Sequence, residues 1–239
     1  MTRLADAKTV DKLIEKQIAL WKIQRKATRE ERGEEQQIQK RDFGPYVAFS
    51  REEGSGGGFI AKEVAARLGW EVFGRELVER IATKAQFRRT VIESLDERGR
   101  STVEDWVTQL LDRSFLGHHA YARHLVEVMS TIARHGNVVF IGRGANFVLP
   151  REHGLCVRVI APLRLRIERV MRDSGVNREE AERFVRQSDA DRQAFARMYF
   201  HEDAADPRHY DLVINTGGIP DEAAADIVIR CLQAKLGLL

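Results

Sequence analysis

Five residues, Gly54-Ser55-Gly56-Gly57-Gly58, come shortly after the apolar run Tyr46-Val47-Ala48-Phe49 and just before a segment with helical spacing. Glycines this dense at a strand-to-helix turn let the backbone adopt conformations closed to other residues. Such a turn brings backbone N–H groups close together, and the helix that follows begins with unpaired N–H groups and a positive dipole end. The combination suits an anion, and phosphate above all. A chain built around this turn is expected to be an α/β domain, with the first strand inside a sheet and the loop at its edge.

The rest of the chain fits that expectation. Short β-like runs at Tyr46–Ser50, Trp70–Phe73, Val138–Gly142, Leu155–Ala161 and Asp211–Asn215 alternate with helical stretches, the pattern of a parallel sheet covered by helices. Ile60, Val64, Ala65 and Leu68 form a core-facing stripe ending at a Gly69 stop. Pro162 opens a helix with Leu163, Ile167 and Val170 facing inward. The last helix buries Ala224, Ile227, Val228, Cys231 and Leu232, and Trp70, Phe73 and Phe140 read as core. Residues 75–136 form a helical, charged insertion, and residues 178–205 a polar, arginine-rich segment.

Residues 1–44 stand apart. A proline-free helix is expected over about residues 8–40, with Val10, Leu13, Ile14, Ile18 and Trp21 on one stripe. Its apolar half needs a partner, either its own domain or a second copy of the chain, which would make it a dimerisation arm. Gly44-Pro45 breaks the chain before the main domain, residues 45–239.

Composition narrows the class. The 39 basic residues nearly balance the 36 acidic ones, so no one-sided basic surface for nucleic acid is expected. The N-terminal sequence has no uninterrupted apolar segment, so neither a secretory signal nor a membrane span is expected. Cys156 and Cys231 lack CxxC spacing and fit a reduced, cytoplasmic environment as small buried hydrophobes. His118, His119 and His124 have no acidic or cysteine partner at ligand spacing, and no metal site is expected there. Asp203, Asp206 and Asp211 read as turn and cap residues.

Against the usual phosphate-loop pattern GxxxxGK[ST], Arg51 stands at the leading glycine, Gly57 at the lysine and Gly58 at the hydroxyl residue. The backbone contribution survives, while the mobile cation and the Mg²⁺ ligand do not. Arg51 is the candidate to supply positive charge from the opposite side of the loop.

Three segments, VAFSREEGSGGGFIAKEVAARLGWEVFGREL, VVFIGRGANFVLP and SDADRQAFARMYFHEDAADPRHYDLVINT, resemble in order and spacing the cytidylate kinase-like branch of the P-loop nucleoside-monophosphate kinases. The resemblance, over roughly residues 46–239, implies a three-layer P-loop NTPase-type fold with a central parallel sheet of about five strands and a helical insertion; the extra N-terminal helix lies outside it. It implies ATP as phosphoryl donor with Mg²⁺, and a nucleoside monophosphate such as CMP or dCMP, or a related small acceptor. Gly54, Ser55, Gly56, Gly57 and Gly58 would cradle the donor. Arg80 matches a monophosphate-binding arginine, with Arg75 nearby and Gly74 where the family has an aspartate. Gly142-Arg143-Gly144 matches the Gly-Arg-Asp acceptor motif, so Arg143 is retained and a second aspartate is absent. Asp191 and Arg192 fall in the lid pattern, residues 178–205, while Gln187 and Ala194 stand where that pattern has arginines; Arg186 and Arg197 are on adjacent turns.

Two functions follow. One is a nucleotide kinase in which Arg51, Arg143 and Arg192 act catalytically and Arg75, Arg80, Arg143 and Asp191 hold the acceptor. The other is a non-catalytic nucleotide-binding or interaction protein that keeps the fold without efficient transfer. On composition alone Arg80 reads equally as a solvated surface arginine, and the arginines of residues 178–197 as a salt-bridged helix face.

Overall fold

The computed structural model of the protein describes residues 7–31, 43–113 and 119–237. The chain divides into two compact units, residues 45–74 with 137–237, and residues 7–44 with 75–136.

The first unit is built on five parallel strands: β1 (Tyr46–Arg51), β2 (Glu71–Gly74), β3 (Val138–Ile141), β4 (Gly154–Ile160) and β5 (Leu212–Asn215). Their order across the sheet is β2-β3-β1-β4-β5. All five strands expected from the apolar runs are present, within a residue or so at each end. β1 is central, with Phe49 opposite Ile141 of β3 and Arg51 opposite Val159 of β4. The chain order reverses direction at β1, and in open parallel sheets the crevice beyond the carboxyl ends at such a point is where ligands bind.

The alternation of side chains along each strand divides the apolar residues between two faces. Val47, Phe49, Val139, Leu155, Val157 and Ile214 pack beneath α2 (Gly57–Leu68) and α10 (Asp221–Leu236). Ile60, Val64 and Ala65 of α2 are buried there as the periodicity requires, and Gly69 closes the helix in the left-handed conformation. In α10, Ala224, Val228 and Leu232 are buried, but Ile227 is 37% exposed. Its position lies one step round from the buried stripe, so the expectation for that residue is corrected. On the opposite face Phe140 packs between Tyr46 and Phe73, at ring-centroid distances of 6.3 and 6.1 Å.

Two further helices pair with each other, α8 (Leu163–Ser174) and α9 (Arg178–Phe200), through Ile167, Val170, Ala181 and Val185. Asn177 and Glu180 form a reciprocal capping box at the start of α9. The short α7 (Ala145–Val148) follows β3.

The second unit holds α1 (Ala7–Glu31), α3 (Arg75–Thr83), α4 (Ala85–Glu93), α5 (Glu97–Arg113) and α6 (Ala120–His135). The part of the expected N-terminal helix over 32–40 lies outside the described residues. Val10, Ile14, Ile18 and Trp21 are buried within this unit, and Trp21 stacks on His135 at 4.1 Å. Leu13 is half exposed, a correction to the stripe: at one helical step from Ile14 it sits at the margin of the buried face. His124 faces Arg88 at 3.0 Å, while His118 lies outside the described residues.

Asp203 accepts from the Ala205 amide and Asp206 from that of Arg208, the turn roles expected of them. Asp211 closes the β4–β5 edge. Its amide donates to the Cys156 carbonyl at 2.8 Å, and its carboxylate accepts from the Cys156 amide at 2.8 Å. Lys235 and Arg151 stand 2.8 and 3.0 Å from that carboxylate. Burial alone pushes the Asp211 carboxyl upward, but the Cys156 amide and Lys235 outweigh it and hold it below its ordinary value. A depressed carboxylate contributes stability above the unfolded pKa of about 3.9 and loses it as pH falls through the folded value. Asp211→Asn is therefore expected to cost ~1–3 kcal/mol at neutral pH, with the deficit against wild type shrinking in acid. Urea unfolding of both proteins at pH 7 and pH 3 measures the two differences.

Candidate functional site

The chain leaves the end of β1 into the turn Glu52–Gly56 and enters α2 at Gly57. The Glu52 amide donates to the Val159 carbonyl at 3.1 Å, which ties the turn to β4. Gly56 has φ +83°, a left-handed conformation that only glycine takes without strain. Ser55 is fully buried: its hydroxyl donates to the Glu52 carbonyl at 2.8 Å and accepts from the Gly57 amide at 3.4 Å. Its carbonyl accepts from the Thr216 hydroxyl at the end of β5 at 2.8 Å. The side chain of Ser55 thus braces the turn from inside. Among the described residues, no hydrogen bond engages the amides of Gly54, Gly56 or Gly58. Such amides at the start of a three-turn helix are groups of the kind that suit an anion.

Around the turn lies a dense set of charges. The Glu53 amide donates to Asp189 of α9 at 2.8 Å. Asp189 also pairs with Arg166 of α8 and with Arg192 of α9. Arg166, with its side chain only 10% exposed, donates to the Ala161 carbonyl at 3.0 Å and the Glu53 carbonyl at 3.3 Å, and stands 3.4 Å from Glu52. Arg192 pairs in addition with the carboxylate of Glu53. Each buried charge therefore has a counter-charge and directed hydrogen bonds, the condition for holding ions away from water.

A cleft of about 390 Å³ opens beside this network, and Ser50, Arg51, Glu52, Arg158, Arg192 and Arg197 are among its lining residues. Arg158 on β4 donates to the Ser50 hydroxyl at 3.2 Å. Arg51, Arg158, Arg192 and Arg197 share the lining of the cleft with Glu52, Asp189 and Asp203, so basic and acidic side chains alternate around it at the carboxyl edge of the sheet.

Of the residues singled out from the sequence, Arg51 and Arg192 line this cleft together. Arg143 has φ +56° and lies over the Phe195 ring of α9 at 4.3 Å, a cation–π contact. Asp191 is exposed and accepts from Gln187 at 2.7 Å. The carboxylate of α9 that meets the loop is Asp189. Arg75 and Arg80 belong to the second unit. Arg80 makes a two-bond pair with Asp11 of α1 at 2.7 Å for each bond, and this guanidinium holds the Asp11 carboxyl below its ordinary value.

Arg158, Arg166, Glu52, Glu53 and Asp189 were not reached from the sequence. Alternation along β4 marks Arg158, because a basic residue there interrupts a buried strand. Arg166 and Asp189 carry no local signal, since their partners lie 113 and 136 residues away on the turn.

The two glycines that stand at aspartate positions differ in kind. Among the described residues no atom lies within 4 Å of a Cβ built at Gly74. Gly144 has φ +74°, and a Cβ there would overlap the ring of Phe200. Gly144→Asp is expected to destabilise the protein by ~2 kcal/mol or more, through backbone strain and overpacking, while Gly74→Asp leaves stability within ~1 kcal/mol. Thermal melts of the two variants beside wild type measure the contrast.

Comparison with known proteins agrees with this geometry. Residues 46–218 match the cytidylate kinase-like family. A cytidylate kinase of Ignicoccus hospitalis is 28% identical over 191 residues, covering 78% of this chain and 98% of that protein. A uronate isomerase of Corynebacterium glutamicum is 34% identical over 101 residues, which is 42% of this chain; the chain spans only 20% of that relative's length. Among solved structures, a protein of Eubacterium ventriosum aligns with a TM-score of 0.60 at 20% identity, covering 79% of this chain and 98% of the other. That likeness extends the parallel-sheet fold to a distant sequence. No helix among the described residues is long and apolar enough to cross a membrane. With the family match running from the first residue of β1 past the end of β5, the chain belongs to the cytidylate kinase-like family.

Proposed function

We propose that the protein is a nucleotide kinase that moves the γ-phosphoryl group of ATP to a nucleoside monophosphate or a related small phosphorylated acceptor. The observation that carries this reading is that Arg51, Arg158, Arg192 and Arg197 line one cleft whose wall at Ser50–Glu52 leads along the chain into the Gly54–Gly58 turn. Phosphoryl transfer asks little covalent chemistry of a protein; it needs in-line positioning and neutralisation of charge on the transferring oxygens. The amides of Gly54, Gly56 and Gly58 would hold donor phosphate oxygens, and the cleft arginines would spread over the charge that develops. Arg143, placed by its contact with Phe195, would serve the acceptor phosphate.

Magnesium, implied by the family, is poorly matched by the protein's own side chains. The hydroxyl position of the loop is Gly58, and among the described residues no three His, Cys, Asp or Glu side chains cluster as a metal site. A Mg²⁺ ion would be held by nucleotide phosphates and water.

Acceptor choice departs from cytidylate. The position of the second acceptor aspartate is filled by the Phe200 ring, so a carboxylate at 144 is not part of the recognition. A phosphate-centred acceptor site served by arginine fits better than one selective for the cytosine base.

A second reading, binding without turnover, draws on Asp189. Its carboxylate accepts a loop amide in the manner of a phosphate oxygen, and that contact favours a closed, unreactive turn.

An assay of ADP release across the common nucleoside monophosphates at millimolar concentration tests the kinase reading. Turnover is expected with at least one acceptor, and Arg143→Ala or Arg192→Ala, checked by melting for intact fold, is expected to lower kcat by ~100-fold or more. Rates at background for every acceptor overturn it. Stabilisation by ATP according to RT ln(1 + [L]/Kd), without turnover, would leave the binding reading in place.

A further inference from the structure

We infer that Arg51 and Gly57 are a single exchanged pair: the loop carries its cation at its first position, and the stem of that cation occupies the room a lysine at the seventh would need. The inference rests on the donor-phosphate reading of the turn given above.

The steric side is direct. A Cβ built on Gly57 would stand 2.8 Å from Cβ of Arg51 and 3.0 Å from Cβ of Val159. Both neighbours are first side-chain atoms on adjacent strands, and the two residues are partners in the β1–β4 register. Neither swings aside as the tip of a long side chain would. Any side chain at 57 therefore requires a residue without a Cβ at 51 and a shift of a few tenths of an ångström at Val159, and the pattern GxxxxGK[ST] has glycine at that first position. Where that pattern pairs glycine with lysine, this chain pairs arginine with glycine.

The far end of Arg51 has its own cleared path. A Cβ at Gly142 would lie 3.0 Å from Nη1 of Arg51, so the guanidinium runs from the entrance of the turn toward the Gly142-Arg143-Gly144 turn after β3. Two glycines, one at the stem and one at the head, leave the room that this one side chain fills. Arg51 also lines the cleft with Arg158, Arg192 and Arg197, three residues before the turn that would cradle the donor.

Gly58 supplies the contrast. Among the described residues nothing lies within 4 Å of a Cβ built there. The missing hydroxyl at 58 has no steric cause, whereas the missing lysine at 57 has one. The two departures from the usual loop are thus different events, and only the first is coupled to a compensating residue.

The full-length chain with Arg51→Gln, Arg51→Gly, Gly57→Lys and the double variant Arg51→Gly/Gly57→Lys forms the test, read by melting temperature and by ATP affinity from calorimetry. Arg51→Gln keeps the stem and removes the charge, so it is expected to melt closer to wild type than Gly57→Lys does and to bind ATP ~10-fold or more weakly. Gly57→Lys alone is expected to melt lower than wild type. In the double variant, melting temperature and affinity are both expected to recover beyond what additive single effects allow. If wild type binds ATP and Arg51→Gln binds it equally well, or the cycle is additive in both measurements, this proposal is overturned and the donor reading stands. A wild type that binds no triphosphate overturns the donor reading, and the cation role of Arg51 falls with it.

Discussion

The structure of the first unit depends on the double pairing of β1. Flanked by β3 and β4 in parallel register, this strand has no free edge, and every residue from Tyr46 to Phe49 is set by partners on both sides. The turn that follows is consequently delivered to the carboxyl edge of the sheet, where the chain order reverses. Because the Glu52 amide continues the pairing to Val159 before the chain turns upward, the turn begins at a defined height above the sheet. The first residues of α2, the cleft and Arg158 of β4 all take their places from that one strand.

A turn rich in glycine would be poorly determined without outside support, since glycine loses more backbone freedom on ordering than any other residue. Here the support is electrostatic and comes from α8 and α9. Arg166 is nearly enclosed, and its guanidinium meets the carbonyls of Ala161 and Glu53 and the carboxylates of Glu52 and Asp189. Removing Arg166 would leave the Glu52 and Asp189 carboxylates without this counter-charge and the two carbonyls without their donor. The same arrangement ties α9 to the turn through Asp189 and Arg192. An incoming phosphate would compete with a carboxylate for a loop amide and gain arginines already gathered there. The order of the turn and the placement of α9 against it are thus governed by one set of groups.

Much of this was legible in the sequence, and the reasons are particular. The five strands are short apolar runs bounded by glycine, proline and charge, and each gave its position within a residue or so. Ile60, Val64 and Ala65 showed their buried face because α2 is flanked by clear signals, the glycine turn before it and Gly69 after it. Leu13 and Ile227 are apolar by composition but sit at the margins of their helices' buried faces, and a periodic pattern does not resolve one step of rotation. The charge network was out of reach for a different cause: Asp189 and Asp191 are equivalent as sequence, and only the rotation of α9 against the turn selects the first. Arg80, matched to a phosphate ligand by position, is held by Asp11, a residue no motif connects to it.

The loop's unusual residues also separate once space is considered. Glycine at 57 is required by the Arg51 and Val159 stems, and glycine at 144 by a left-handed backbone pressed on Phe200. Glycine at 58 and at 74 is required by nothing among the described residues. The two constrained positions each face a residue that takes over their volume, arginine in one case and phenylalanine in the other. These replacements have opposite chemistry. At 57 the volume is taken by the stem of a cation, Arg51. At the acceptor end a carboxylate's place is taken by an apolar ring from α9, which removes a hydrogen-bond acceptor and couples the Gly142–Gly144 turn to that helix. A family defined by phosphoryl transfer can keep its donor chemistry under such a change, while base recognition must be rebuilt from other groups.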